Sequence, residues 1–131
     1  VDMHRKMALL VEDNELNMEI AEFLLEGEGM IVVKASNGKE AVEKFAASEV
    51  GGFDIIFMDV MMPVMNGLDA ARKIRSMTRA DAQTIPVIAM TANAFQDDVQ
   101  RSFEVGMNAH ITKPLDINKI REAITDVMTK K

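Results

Sequence analysis

The chain has 131 residues, with 15 Lys and Arg against 21 Asp and Glu, a formal charge of −6, and 48% hydrophobic residues. That is the size and composition of one soluble globular domain with a single core, and it excludes a disordered or collagenous chain. The absence of Cys and the presence of only His4 and His110 exclude disulfides, thiol nucleophiles and a histidine-rich transition-metal site, while the acidic balance argues against nonspecific binding to nucleic acid or anionic lipid.

Residues 1–6 lack the apolar run of a signal peptide and read as an N-terminal tail or expression remnant ahead of one domain at 7–131. No stretch reaches the roughly 20 apolar residues that span a bilayer. The first strand is expected at Met7–Val11. A helix follows in which Leu16, Ile20, Phe23 and Leu24 form the apolar stripe and Gly27 and Gly29 supply the stop. Further strands are expected at 30–33, 53–58, 85–90 and 109–111. Between and after them lie helical stripes at Ala41, Val42 and Phe45, at Leu68, Ala71 and Ile74, at Val99 and Phe103, and at Ile117, Ile120, Ile124 and Val127. Continuous apolar runs suit strands covered on both faces, and strict strand–helix alternation implies parallel strands joined by right-handed crossovers. The expected fold is an α/β three-layer αβα sandwich around a five-stranded parallel sheet.

In such sheets functional groups gather beyond the carboxyl ends of the strands. The residues at or just past those ends are Glu12 and Asp13, Asp59, Thr91 and Lys113. Taken singly, each has an ordinary role: Asp13 as a helix cap, Thr91 as a loop hydroxyl, Lys113 as a solvated charge. Together, three carboxylates against one ammonium repel one another unless a cation joins them. Oxygen-only donors favour Mg²⁺ or Mn²⁺, and a small carboxylate count suits Mg²⁺ shared with a phosphate. A cation, a lysine and a hydroxyl around one carboxylate match the needs of phosphoryl transfer, with Asp59 the best nucleophile candidate.

The segments LLVEDNELNMEIAEFLLE, FDIIFMDVMMPVMNGLDAARKIR, IPVIAMTANA and GMNAHITKPL, in this order over about residues 7–128, resemble the receiver domain of two-component response regulators. The resemblance implies a flavodoxin-like sheet of order 2-1-3-4-5 and phosphorylation at Asp59. It implies that Asp13, Asp59 and the backbone carbonyl of Met61 ligate Mg²⁺, with Glu12 acting through water. Lys113 and Thr91 would hold the phosphoryl oxygens, Met61 and Asn93 would tune its hydrolysis, and Pro114 would follow a cis peptide bond. Asn66-Gly67 would form a tight turn with glycine at positive φ. Thr91 and His110 would be the switch pair, with His110 standing where Tyr or Phe is usual, so that a pH-sensitive switch is expected, the alternative being a partly buried, hydrogen-bonded imidazole with no signalling role. The face presented by the fourth helix, fifth strand and fifth helix would include Phe95, Val99, Ala109 and Lys119, with Val99 also suited to packing.

The resemblance further implies a histidine kinase or histidine phosphotransfer domain as phosphoryl donor, contacting the first helix and the loops around Asp59. Met18, Met61, Met62 and Met65 are candidates for apolar docking surface there, with core filling the alternative for Met62 and Met65. The wording is most similar to receivers of hybrid sensor histidine kinases, the alternative being a stand-alone regulator; a cytoplasmic monomer or weak dimer with slow self-dephosphorylation is expected. A flavodoxin-type carrier is disfavoured, because carboxylates follow the first strand where a flavin phosphate would sit. An aspartyl-phosphate phosphatase is disfavoured by Met61 at the place of its second aspartate.

Overall fold

A computed structural model describes residues 2–62, 64–92 and 96–129, with the side chains of 96–98 outside the description. Five strands, β1 (Met7–Val11), β2 (Ile31–Ala35), β3 (Ile55–Asp59), β4 (Val87–Thr91) and β5 (Ala109–Thr112), alternate with helices α1 (Glu15–Gly27), α2 (Gly38–Ala47), α3 (Gly67–Arg75), α4 (Gln96–Glu104) and α5 (Ile117–Thr129). The strands form one parallel sheet in the order β2-β1-β3-β4-β5, so the chain reverses its direction of travel across the sheet between β1 and β3. The expected architecture and strand order are both present.

Alternation along each strand divides the core between the two faces of the sheet. Leu9, Val11, Ile56, Met58, Val87 and Ala89 pack with Ala41 and Phe45 of α2 and Ala71 and Ile74 of α3. Ala8, Leu10, Ile55, Phe57, Ile88 and Met90 pack with Ala21 and Leu25 of α1 and Ile120 and Ile124 of α5. Every residue of β3 and β4 is buried, which is why these segments are apolar up to their last residues, Asp59 and Thr91.

Several expectations shift in detail. Phe53 and Ile85 precede their strands, although both remain in the core. Pro86 has no N–H to donate, and β4 pairing begins at Val87. The first six residues do not simply trail away: Met3 is 3% exposed within the core, the Arg5 N–H bonds the Gly29 carbonyl at 2.7 Å, and the Lys6 carbonyl accepts from the Ile31 N–H at 2.9 Å. Met3 belongs to the same buried cluster as Leu25 and Met30, and those backbone bonds tie its segment to residues 29–31.

The largest correction concerns α1. Leu16, Ile20 and Phe23 belong to the apolar stripe expected along α1, yet Leu16 is 64% and Phe23 77% exposed and Ile20 is exposed too. The buried side is Ala21 and Leu25, with Met18 and Leu24 packed alongside. At 100° per residue these two stripes lie on nearly opposite sides of the helix, separated along one flank by Glu15, Glu19, Glu22 and Glu26.

Candidate functional site

The site is assembled at the reversal point of the sheet, where β1 and β3 run side by side and their carboxyl ends open outward. Glu12 follows β1 directly, its N–H bonded to the Ala35 carbonyl at 3.1 Å. Asp13 stands next to it, exposed. It is not the helix cap: Asn14 takes that role, its side chain accepting from the Asn17 N–H at 3.0 Å. Asp13 is therefore left available for other chemistry.

Asp59 is the last residue of β3 and is 4% exposed. Its Oδ1 accepts from the Met61 N–H at 3.3 Å, and its Oδ2 lies 3.1 Å from the Lys113 ammonium. Lys113 also donates to Glu12 Oε1 at 2.7 Å. The lysine comes from the end of β5, where its N–H bonds the Thr91 carbonyl at 2.8 Å and a cis peptide bond joins it to Pro114. Thr91 closes β4 and is buried beside this group. Residues remote in sequence thus meet because four strands end on one line.

Electrostatics distinguish the two buried acids. Burial and the adjoining Glu12 push the Asp59 carboxyl up to about 7, against a smaller opposing pull from Lys113. Burial also acts to raise Glu12, but hydrogen bonds from Lys113, from the Asp59 carboxyl and from the Asn14 N–H outweigh it and hold Glu12 below its ordinary value. The Lys113 ammonium resists its own burial through bonds to both carboxylates, which raise its pKa. Below about pH 7 the pair therefore keeps one proton, held on Asp59 and shared with Glu12. Carboxylate oxygens of Glu12, Asp13 and Asp59 come within 4.8 Å of one another. An all-oxygen group of that size fits a hard divalent cation, whose charge would release the Asp59 proton and leave a nucleophilic carboxylate.

The loop after Asp59 is held at close quarters. A Cβ on Gly67 would meet the Asp59 carbonyl oxygen at 2.2 Å, so glycine is required by that approach. The expected glycine turn at positive φ is not formed. Gly67 begins α3, Asn66 caps it by accepting from the Asp69 N–H at 2.9 Å, and the positive φ falls on Val64, at 68°. A β-branched residue in that region stores strain, a cost of about 1–3 kcal/mol.

Beyond the carboxylates, His110 is half-buried on β5 and meets the Phe103 ring edge-on at 6.5 Å. These two residues line a cavity of about 360 Å³ with Ala109, Thr112, Lys119, Glu122 and Asp126. Val99 is half-buried, whereas Phe95 and Asn93 lie outside the described residues. Among the four methionines expected near the site, Met61 is exposed, while Met18, Met62 and Met65 pack against the core. The Leu16–Ile20–Phe23 part of the expected α1 stripe is exposed. A second apolar stripe, Met18, Ala21 and Leu25, lies on the other side of the same helix and packs against the sheet's core.

Residues 8–125 match the family model described as the response regulator receiver domain. A probable histidine kinase from Oryza sativa subsp. indica is 37% identical over 130 residues, which cover 91% of this chain and 12% of that relative. The chain therefore spans a small part of that protein. The crystal structure of the receiver domain of a sensor histidine kinase from Pseudomonas aeruginosa PAO1, with a magnesium ion coordinated in its active site cleft, is 32% identical with a TM-score of 0.83, covering 95% of this chain and 99% of that one. A Saccharomyces cerevisiae response regulator receiver domain, co-crystallised with a histidine phosphotransfer signaling protein, is 30% identical with a TM-score of 0.79, covering 93% and 88%. Among the described residues, no helix is long and apolar enough to cross a membrane.

Proposed function

We propose that this chain, which belongs to the response regulator receiver domain family, accepts a phosphoryl group on Asp59 from a phosphohistidine and acts as the receiver of a hybrid sensor histidine kinase. The observation that carries the assignment is the buried Asp59 carboxyl, flanked by the Lys113 ammonium at 3.1 Å and by Glu12 and Asp13. In the transfer, the phosphorus–nitrogen bond of the donor breaks as a bond from an Asp59 oxygen to phosphorus forms. Lys113 stands ready to pair with the transferred oxygens, and the Thr91 hydroxyl, at the end of the neighbouring strand, completes their hydrogen bonding. Asp13, Asp59 and the Met61 carbonyl would hold Mg²⁺, with Glu12 acting through water. The ion would supply positive charge against the developing phosphoryl charge.

The phosphoryl group brings about −1.5 to −2 charges to a site that already repels charge. Movement of Thr91 toward it frees space beside β5, and His110 turns inward from the face it shares with Phe103. The cavity between α4, β5 and α5 then changes shape, biasing an existing two-state equilibrium.

The donor fits the exposed side of α1. A helical partner presenting an apolar stripe to Leu16, Ile20 and Phe23 would bring its histidine to the nearby carboxyl edge. The four flanking glutamates favour a partner with lysine or arginine beside that stripe. The same reading places the domain in the cytoplasm, where phosphorylated histidine partners are made.

Incubation with a small phosphodonor and Mg²⁺, followed by intact mass and peptide mapping, tests the acceptor. One phosphoryl group on the Asp59 peptide is expected, absent in Asp59→Asn and after chelation. Labelling on a Ser or Thr, or none, overturns the assignment.

A further inference from the structure

The protein contains twelve methionines. All twelve lie among the described residues, and eleven are buried or half-buried; Met61 alone is exposed, at 77%. It follows Asp59 by two residues, and its own N–H bonds the Asp59 carboxylate at 3.3 Å. The methionine most open to solvent is thus anchored by its backbone to the acceptor carboxyl.

We propose that Met61 is a peroxide-sensitive modification site whose sulfoxide shortens the lifetime of the phosphoryl group on Asp59. The second half rests on the phosphoacceptor reading above; the first does not. In the oxidation, the thioether sulfur attacks one oxygen of a peroxide, a sulfur–oxygen bond forms and the oxygen–oxygen bond breaks. With hydrogen peroxide, the departing hydroxide takes up the proton released by the transferred oxygen, giving water. Sulfur loses two electrons and the peroxide gains them. Susceptibility of a methionine follows its exposure, and the product is a polar side chain in place of a flexible apolar one.

The consequence follows from where that polarity arises. An unmodified thioether is a poor hydrogen-bond acceptor and leaves water beside the acyl phosphate unordered. A sulfoxide oxygen accepts strongly, and at the rim of Asp59 it orients water whose lone pair faces phosphorus. One added orienting hydrogen bond accelerates hydrolysis roughly two- to tenfold. Val64, the other exposed apolar residue described in this loop, has no oxidisable atom. The device therefore rests on the one side chain.

The test treats the folded protein with hydrogen peroxide over a time course and maps every methionine by peptide mass. Met61 sulfoxide should form ahead of the other eleven, which serve as internal controls; equal or faster oxidation of any of them overturns the site. Oxidised and untreated protein are then loaded with a small phosphodonor, and loss of the phosphoryl group is followed by intact mass. Oxidation should shorten the lifetime roughly two- to tenfold in the wild-type chain, and methionine sulfoxide reductase should restore it. In Met61→Leu the ratio of oxidised to untreated lifetimes should be one. Unchanged lifetimes in the wild-type chain, or the same shortening in Met61→Leu, overturn the effect. A chain that takes up no phosphoryl group overturns the acceptor reading and the lifetime effect with it, while the peptide map still decides whether Met61 is the oxidation site.

Discussion

The two edges of the sheet handle charge in opposite ways. At the carboxyl edge, Glu12, Asp13 and Asp59 crowd together beside the ammonium of Lys113, and burial with the adjoining Glu12 leaves Asp59 protonated up to about pH 7. At the opposite edge, arginines meet acceptors in nearly every direction. Arg75 donates to the Gly106 carbonyl, the Ala82 carbonyl and Asn108 Oδ1, joining the end of α3 to the turn before β5. Arg79 donates to the carbonyls of Phe45, Ser48 and Glu49 and to both oxygens of Asp81, and its guanidinium lies 4.4 Å from the centre of the Phe45 ring. One edge is satisfied and holds the fold, whereas the other is left in electrostatic conflict that a cation and a phosphoryl group can relieve.

Removing a donor from the satisfied edge should have the largest effect. Arg75→Met keeps the aliphatic stem but leaves carbonyls at Gly106 and Ala82 without their donor, and should lower stability by about 3 kcal/mol, read as a lower urea midpoint. A loss smaller than about 1 kcal/mol would mean that this edge is not the anchor.

Relieving the conflict should act in the other direction. Folded Asp59 keeps its proton up to about pH 7, while the unfolded chain releases it near the ordinary 3.8. The wild-type chain therefore loses stability as pH climbs from about 4 to about 7, and Asp59→Asn does not suffer that loss. Glu12, held below its ordinary value, contributes in the opposite sense, with stability that disappears as pH falls. Set against each other, these leave Asp59→Asn more stable than wild type at pH 8 by about 2 kcal/mol, shrinking toward pH 4. Denaturation at both pH values checks the sign.

Mg²⁺ should relieve the same conflict without mutation. At about ten times its dissociation constant it should stabilise the wild-type chain by about 1.4 kcal/mol, with a smaller effect in Asp59→Asn, read by thermal melts with and without chelator. The smallest stability effect belongs to the exposed side of α1. Phe23→Ser should change stability by less than about 0.5 kcal/mol, yet slow phosphoryl transfer from a histidine phosphotransfer partner while leaving loading from a small phosphodonor intact.

Much of this contrast was legible in the sequence on one side only. The carboxyl edge could be read because Glu12, Asp13, Asp59, Thr91 and Lys113 each interrupt or end an apolar run, and a parallel sheet forces those ends together. The opposite edge was not legible: the partners of Arg75 and Arg79 are mostly backbone carbonyls, which leave no mark on residue identity. The outer stripe of α1 is indistinguishable from a packing face in the sequence for a related reason. Periodicity reports that apolar residues share a face but not whether the domain itself covers that face, and here Ala21 and Leu25 do the packing while the larger side chains stand outside. Gly67 was correctly singled out but for the wrong cause, since its lack of a Cβ matters for the approach to Asp59 and not for a left-handed turn.

A carbon-13 NMR titration of the Asp59 side-chain carboxyl measures the charge conflict at the carboxyl edge directly. Without divalent cation the resonance should titrate at about 7, and saturating Mg²⁺ should move its midpoint down into or below the ordinary carboxylate range. A carboxyl that titrates near 4 in the absence of Mg²⁺, or one that Mg²⁺ leaves unmoved, would contradict it.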